Sequence, residues 1–119
     1  MPKSILGWVA EGQGAVRDFA FLTVYDEVDR TANSIKFRLY IAAGLFINVY
    51  ANVVSGKVGF ALIYRNQRIF GRDNQGGAWH LHPVRDPSDH DSSADATRPV
   101  SLREFVIAVE GILLDLNLL

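Results

Sequence analysis

The sequence predicts an α+β domain: an antiparallel meander of four to five strands, covered on one face by a C-terminal amphipathic helix. Three observations predict this fold class. Apolar and polar residues alternate through residues 34–54, an apolar stripe follows helical spacing near the C-terminus, and only short turns separate the strand-like segments. Because short turns join antiparallel neighbours, the strands form a meander. A chain of 119 residues without a linker fits one domain, residues 1–119.

The elements follow in order along the chain. Residues 1–17 show only a weak helical tendency, which is interrupted by glycines. The predicted strands are residues 19–28, 34–41, 45–54, 58–64 and 68–71. Turn residues separate them at positions 29–33, 43–44, 55–57 and 65–67. Residues 78–97 have no periodicity and are expected to form a long loop.

The C-terminal helix has both a start signal and an apolar stripe. Ser101 and Glu104 stand at the spacing of a capping box, directly after Pro99. The stripe that should pack on the sheet consists of Leu102, Phe105, Val106, Val109, Ile112, Leu113 and Leu116. Gly111 interrupts this helix at a cost of about 1 kcal/mol relative to alanine. We interpret it as a point where the helix approaches the sheet closely.

Composition excludes several classes of protein. The formal net charge of -1 does not indicate nucleic-acid binding by charge alone, and the lack of cysteine excludes disulfides and thiolate zinc sites. The longest apolar runs are far shorter than the roughly 20 residues that span a bilayer. The N-terminal apolar segment is too short for a signal peptide. We therefore expect a soluble, cytoplasmic protein without a bound cofactor.

One face of the predicted sheet is basic and aromatic. Residues 34–72 contain six basic residues and no acid. Alternation places Lys36, Arg38 and Tyr40 on one face, with Tyr50 beside them on the next strand. Such a face can contact phosphates and stack bases, so these four residues are candidates for binding RNA. The alternative is a solvated face whose charges prevent edge pairing.

All three histidines, His80, His82 and His90, lie between Gly71 and Asp91. In an acid–base site, His80 or His82 would be the general base, Asp73 would orient its ring, and Arg72 would hold a phosphate. The turn at Gly76-Gly77 would bring these two short segments together at a pocket. Other charged residues nearby are Arg85, Asp86, Asp89 and Asp91.

Two other interpretations of the histidines compete with acid–base chemistry. In a metal site, His80 and His82 would share the ion with His90 or Asp91, because a His-x-His pair on a strand presents both rings on one face. In a purely structural role, Trp79 and Leu81 would anchor the loop while the histidines form hydrogen bonds with its backbone. Acid–base chemistry without metal suits RNA cleavage, since the 2′-hydroxyl of the substrate can be the nucleophile.

The segment FRLYIAAGLFINVYANVVSGKVGFALIYRNQRIFGRDNQGGAWHLHP, with the later helix PVSLREFVIAVEGIL, resembles the TumE-type family of small bacterial toxin–antitoxin proteins and related uncharacterised proteins. The resemblance covers residues 34–116. It implies a cytoplasmic toxin-like protein whose partner is a cognate DNA-binding antitoxin. Two functions are therefore expected to compete: a metal-independent endoribonuclease acting as a toxin, and a non-catalytic module that binds protein or nucleic acid.

Overall fold

The computed structural model describes residues 3–84, 93 and 96–119 and has an α+β architecture of two layers. Its elements are α1 (Ile5–Asp18), β1 (Val24–Arg30), β2 (Ser34–Ala42), β3 (Leu45–Asn52), β4 (Val58–Tyr64), β5 (Gln67–Asp73), β6 (His80–His82) and α2 (Leu102–Asp115). One turn of 3-10 helix at Gln75–Gly77 joins β5 to β6. In the described part of the chain, none of the helices combines the length and apolarity needed to cross a bilayer.

The strands form one antiparallel sheet in the order β1-β2-β3-β4-β5-β6, which confirms the predicted meander. The sheet has six strands because His80–His82 pairs with β5. The expectation of a loop from residue 78 is therefore wrong at this strand. Three residues are too few to show a period of two, so this strand is defined by its partner and not by its own pattern.

Both helices pack on one face of the sheet, which we call the inner face. The inward residues Ile35, Phe37, Leu39, Ile47 and Val49 are at most 1% exposed, as their alternation predicts. Phe105 of α2 lies 5.3 Å from the rings of both Phe60 and Phe70, measured between ring centroids. Burying a side chain of this size contributes roughly 1.5–3 kcal/mol, so the inner face holds the two layers together.

The capping box predicted for α2 is present. Ser101 Oγ accepts a hydrogen bond from the Glu104 backbone N–H at 3.1 Å, and Glu104 Oε1 accepts one from the Ser101 N–H at 3.0 Å. Gly111, in contrast, lies on the exposed side of α2, and a Cβ there would meet nothing within 4 Å. The expectation that Gly111 marks close approach to the sheet is wrong.

Helix α1 is the element that approaches the sheet closely, through Gly12. A Cβ at Gly12 would lie 2.7 Å from ring atoms of Tyr25 and Phe37. The helix begins after Ser4, whose Oγ accepts a hydrogen bond from the Gly7 N–H at 3.0 Å. The N-terminal segment thus forms a second covering helix, beyond the single helix predicted, because its glycine allows intimate contact with two aromatic rings.

Candidate functional site

The face of the sheet opposite the helices, the outer face, carries most of the residues that the sequence analysis singles out. Strand pairing orders them in two rows across the sheet. From β2 to β6 one row reads Arg38, Asn48, Ala61, Gly71 and His82, and the other reads Lys36, Tyr50, Gly59, Asp73 and His80. Neighbouring strands are about 4.8 Å apart, so each row spans about 19 Å.

The guanidinium of Arg38 is held by aromatic side chains. Its carbon atom lies 4.6 Å from the centre of the Phe46 ring, and Nη1 donates a hydrogen bond to the Tyr40 hydroxyl at 3.3 Å. The rings of Tyr40 and Phe46 are themselves 5.2 Å apart. These three residues form what we call the arginine–aromatic cluster. A stacked guanidinium is preorganised, so it loses little conformational freedom when it contacts an anion.

The four candidates for nucleic-acid contact share the outer face, as alternation predicts. Lys36 lies directly opposite Tyr50 across β2 and β3, and Tyr50 is 38% exposed. Arg38 and Tyr40 belong to the arginine–aromatic cluster two and four residues further along β2. The cations and aromatic rings therefore form one continuous area.

Strand β1 adds acidic residues at the edge of this area. Asp26 is the cross-strand neighbour of Arg38, and Asp29 is the neighbour of Lys36. Neither acid forms an ion pair with its neighbour, although all four side chains belong to the described residues. The local charge is thus less one-sided than residues 34–72 alone suggest. Because Arg38 bonds to Tyr40 and stacks on Phe46, it is positioned by aromatic residues and not by Asp26.

The hairpin of β5 and β6 brings the two predicted halves of the histidine site together. Asp73 lies opposite His80, and Gly71 lies opposite His82. The connecting turn needs left-handed backbone at Gly76 and Gly77, with φ of 84° and 93°, which glycine adopts without steric cost. The two segments therefore fold back on each other as the turn predicts.

Asp73 and His82 form a direct pair on the outer face. His82 Nε2 lies 2.7 Å from Asp73 Oδ2, and Asp73 Oδ1 accepts a hydrogen bond from the Gln75 N–H at 3.1 Å. His82 is only 4% exposed, so it is part of the packed sheet and not a loop side chain. His80 is partly exposed, and its Nε2 lies 3.2 Å from the Gln75 carbonyl oxygen. Asp73 therefore occupies the orienting position that the sequence assigns to it.

Arg72 does not lie beside this pair. Strand alternation turns it to the inner face, opposite Phe60, where it is 7% exposed. Its Nη2 donates to the carbonyl oxygens of Ala96 at 3.0 Å and Arg98 at 2.5 Å. The predicted position of Arg72 next to the histidines is wrong. Successive residues of a strand point to opposite faces, so Arg72 cannot accompany Asp73.

Arg68 takes the place that was expected for Arg72. It lines a shallow pocket of about 250 Å³ together with Asp73, Gln75, His80 and His82. Strict alternation from Asp73 would turn Arg68 inward. However, Leu62 pairs with Phe70 and Ile63 pairs with Arg68, so Ile69 is an extra residue that forms a β-bulge. The bulge turns Arg68 to the outer face, and a bulge of this kind leaves no clear signal in the sequence.

His80 and His82 are the ligands of the predicted metal site that lie within the described residues. His80 and His82 do share the outer face, as a His-x-His strand requires. Among the described residues, no group of three histidine, cysteine, aspartate or glutamate side chains is placed to hold a metal ion. The proposed third ligands, His90 and Asp91, lie outside the described residues, together with Arg85, Asp86 and Asp89.

Comparisons of the chain with protein-family models, with curated proteins and with solved structures find no match.

Proposed function

We propose that this protein binds single-stranded RNA on its outer face. The observation that carries the proposal is the arginine–aromatic cluster of Arg38, Tyr40 and Phe46, in which rings fix a cation that forms no ion pair with the neighbouring Asp26. A fixed guanidinium can contact a phosphate or stack on a base. Lys36 and the exposed ring of Tyr50 extend the same area along β2 and β3.

A single strand fits this face better than a duplex. Unpaired bases expose flat faces that stack on aromatic side chains, and sheet platforms use this mode of binding. The bases of a duplex are already stacked, so the duplex would offer only its phosphates to the sheet. The mixed charge at the β1 edge, where Asp26 and Asp29 lie beside Arg38 and Lys36, weakens purely electrostatic binding. We therefore expect stacking to contribute a large share of the affinity.

The test is a fluorescence anisotropy titration of the full chain with single-stranded and duplex RNA at several salt concentrations. We expect tighter binding of the single strand. The logarithm of its association constant should fall linearly with the logarithm of the salt concentration, because phosphate contacts release counterions. Absence of binding at low salt, or a preference for the duplex, would contradict the proposal.

A second candidate function is metal-independent RNA cleavage, and the Asp73–His82 hydrogen bond favours it. In this scheme His80 or His82 takes the proton from the 2′-hydroxyl, and the 2′-oxygen then attacks the adjacent phosphorus. The bond to the 5′-oxygen breaks, and that oxygen receives the proton back from the imidazolium that the first step formed. Arg68, in the same pocket, would stabilise the charge that develops on the phosphoryl oxygens. Asp73 would hold the imidazole in one orientation.

Cleavage by the purified chain in the presence of a chelator tests this second candidate. We expect a 2′,3′-cyclic phosphate product, and loss of cleavage in the His80→Gln/His82→Gln double variant. If the chain binds RNA but leaves it intact, the histidines have a structural role and the protein is a binding module.

The resemblance to TumE-type proteins supports a toxin-like role with a cognate DNA-binding antitoxin as partner. Expression of the chain in bacteria should then slow growth, and co-expression of the antitoxin should restore it. Growth that is unaffected by the chain, together with binding of RNA in vitro, would support the non-catalytic alternative.

A further inference from the structure

The outer face contains a groove between the side chains of β3 and β5. It has a volume of about 420 Å³ and is lined in part by Asn48, Tyr50, Lys57, Arg68 and Asp73. Small-molecule sites begin at about 300 Å³, so the groove has room for one small ligand. Its floor is β4, because the outward residues Gly59 and Ala61 have no side chain or only a methyl group.

The walls of the groove follow from the register. Tyr50 and Asp73 lie on either side of Gly59, and strand spacing puts their Cα atoms about 10 Å apart. A flat ring fits between walls at this distance. Lys57 and Arg68 contribute positive charge at two positions of the lining. This combination of an aromatic wall, an open floor and flanking cations matches a nucleotide, with its base in the groove and its phosphate at a cation.

The fold does not require a glycine at position 59, on the floor of the groove. A Cβ at Gly59 would meet only the Cβ of Asp73, at 3.6 Å, which is an ordinary van der Waals distance. The φ of Gly59 is not positive, so a larger residue would fit without backbone strain. Glycine also weakens the interior of a strand. The absence of a side chain at this position therefore has no structural reason in the described residues.

Asn48 supplies a group that can recognise the base. Its Oδ1 is shielded from solvent and has no hydrogen-bond partner, although the residue lines the groove. A buried acceptor without a partner is unfavourable, and a ligand N–H would relieve that cost. The amide can turn toward the groove because its last torsion is soft. An asparagine amide pairs in bidentate fashion with adenine, accepting from the exocyclic amine and donating to a ring nitrogen.

We infer that the groove over Gly59 and Ala61 binds one adenine nucleotide of a single-stranded RNA, with the base read by Asn48 and the phosphate held by Arg68 or Lys57. This inference rests on the proposed RNA binding. It adds a base preference to a face that would otherwise bind any sequence. Uracil lacks the exocyclic amine, so it should occupy the groove less well.

Mononucleotides test the groove independently of RNA binding. The ¹⁵N-labelled full chain is titrated with AMP, UMP and inorganic phosphate, and the backbone amide signals of Gly59, Ala61 and Gly71 are followed by NMR. We expect saturable shifts with AMP, and about tenfold weaker binding of UMP, the size of one base contact. Phosphate alone should leave the Gly59 and Ala61 signals unchanged. Equal binding of AMP and UMP, equal shifts with phosphate, or no shifts at all would overturn the inference.

Two variants sharpen the test. Gly59→Val should fold normally, since valine favours strands, but should abolish the AMP shifts by filling the groove. Asn48→Leu should bind AMP and UMP equally. Gly111→Ala, on the opposite side of the molecule, is the matched control and should bind AMP like the wild type. AMP binding retained by a folded Gly59→Val variant would also overturn the inference.

Failure of the inference about the groove can be distinguished from failure of the proposed function. If oligonucleotides bind in the anisotropy titration but AMP does not enter the groove, only this inference fails. If AMP binds in the groove and single-stranded RNA does not bind the chain, the proposed RNA-binding function fails and the groove remains a nucleotide site.

Discussion

Asp73 and His82 are joined by a 2.7 Å hydrogen bond that crosses diagonally between β5 and β6. The direct cross-strand partner of Asp73 is His80, and that of His82 is Gly71. A Cβ at Gly71 would lie 3.5 Å from His82 Cδ2, an ordinary van der Waals distance, and 3.1 Å from the Phe60 carbonyl oxygen, so this glycine fits tightly against the backbone of β4 and not against the imidazole. The imidazole of His82 thus reaches from its own row of outer-face residues to the carboxylate of the other row.

This bond makes Asp73→Asn an informative variant for catalysis. Asparagine keeps a hydrogen bond to His82 but removes the negative charge that stabilises an imidazolium. If the pair performs acid–base chemistry, we expect cleavage of RNA to fall by roughly 10²-fold or more, with little change in thermal stability. Asp115→Asn, at the exposed end of α2, makes the same chemical change away from the pair and serves as control. An unchanged cleavage rate in Asp73→Asn would remove Asp73 from the mechanism.

The burial of His82 changes which variants are diagnostic. As a loop residue it could be replaced without loss of stability, but at 4% exposure in β6 it is packed within the sheet. Replacing it leaves the partly buried Asp73 without its imidazole partner, which costs about 1–3 kcal/mol. A fall in the activity of a His82 variant must therefore be interpreted beside its stability, whereas Asp73→Asn separates the two effects.

The faces of β2 and β3 could be predicted because inward and outward residues alternate along both strands. Once the faces of neighbouring residues are assigned, alternation fixes the face on which Phe37 or Val49 lies, so the inner and outer faces follow from the sequence. The same reasoning fails at β5. The bulge at Ile69 moves Arg68 outward, and no property of the segment Gln67–Asp73 distinguishes a bulge from a regular strand.

Contacts between distant parts of the chain could not be predicted either. Arg72 lies on the inner face because its guanidinium donates to carbonyl groups 24 and 26 residues later. Gly12 allows helix α1 to contact Phe37, although a glycine in isolation signals a weakened helix. In both cases the deciding partner comes from another element, so local pattern alone is insufficient.

The basic area on β2 should determine the affinity for RNA. In the Lys36→Glu/Arg38→Glu variant we expect weaker binding of single-stranded RNA, and a salt slope reduced by about 0.7 for each phosphate that the variant no longer neutralises. The control is Arg17→Glu/Arg103→Glu, which makes the same change in net charge on the helices. Anisotropy titrations over a range of salt measure both effects. Equally weakened binding in the two variants would assign the effect to net charge and not to the outer face.

The capping box of α2 should make the free energy of unfolding depend on pH. The Ser101 backbone N–H, and then the Arg98 side chain, lower the pKa of Glu104 below its ordinary value of 4.5. A lowered pKa in the folded state stabilises the fold above the ordinary value, and this contribution is lost as pH falls through the lowered pKa. When the pH falls from neutral to below 4.5, the free energy of unfolding of the wild type should therefore decrease more than that of Glu104→Gln. Urea denaturation at the two pH values measures both decreases. Glu110→Gln is the control on the same helix and should lose as much stability as the wild type. If the wild type loses no more stability than Glu104→Gln, the prediction is wrong.

Gly111→Ala should stabilise the protein. The position is in the interior of α2, is exposed and has open space around it, so alanine adds helix propensity without a clash. We expect a gain of about 1 kcal/mol in the free energy of unfolding. Urea denaturation at neutral pH measures the gain. A loss of stability would mean that this side of α2 contacts another part of the chain.

Arg68 and Arg72 lie four residues apart on β5 but point to opposite faces, so the same substitution should have opposite consequences. Arg72→Met removes the donor to the Ala96 and Arg98 carbonyl groups and should lower the free energy of unfolding by about 1–3 kcal/mol. The folded fraction of the Arg72→Met variant should bind RNA with the affinity of the wild type. Arg68→Met should leave stability within about 0.5 kcal/mol, since Arg68 is exposed, and should weaken RNA binding. Each variant is the control for the other in urea denaturation and anisotropy titration. If Arg72→Met weakens RNA binding while Arg68→Met does not, the binding surface lies on the inner side, and the assignment of the outer face is wrong.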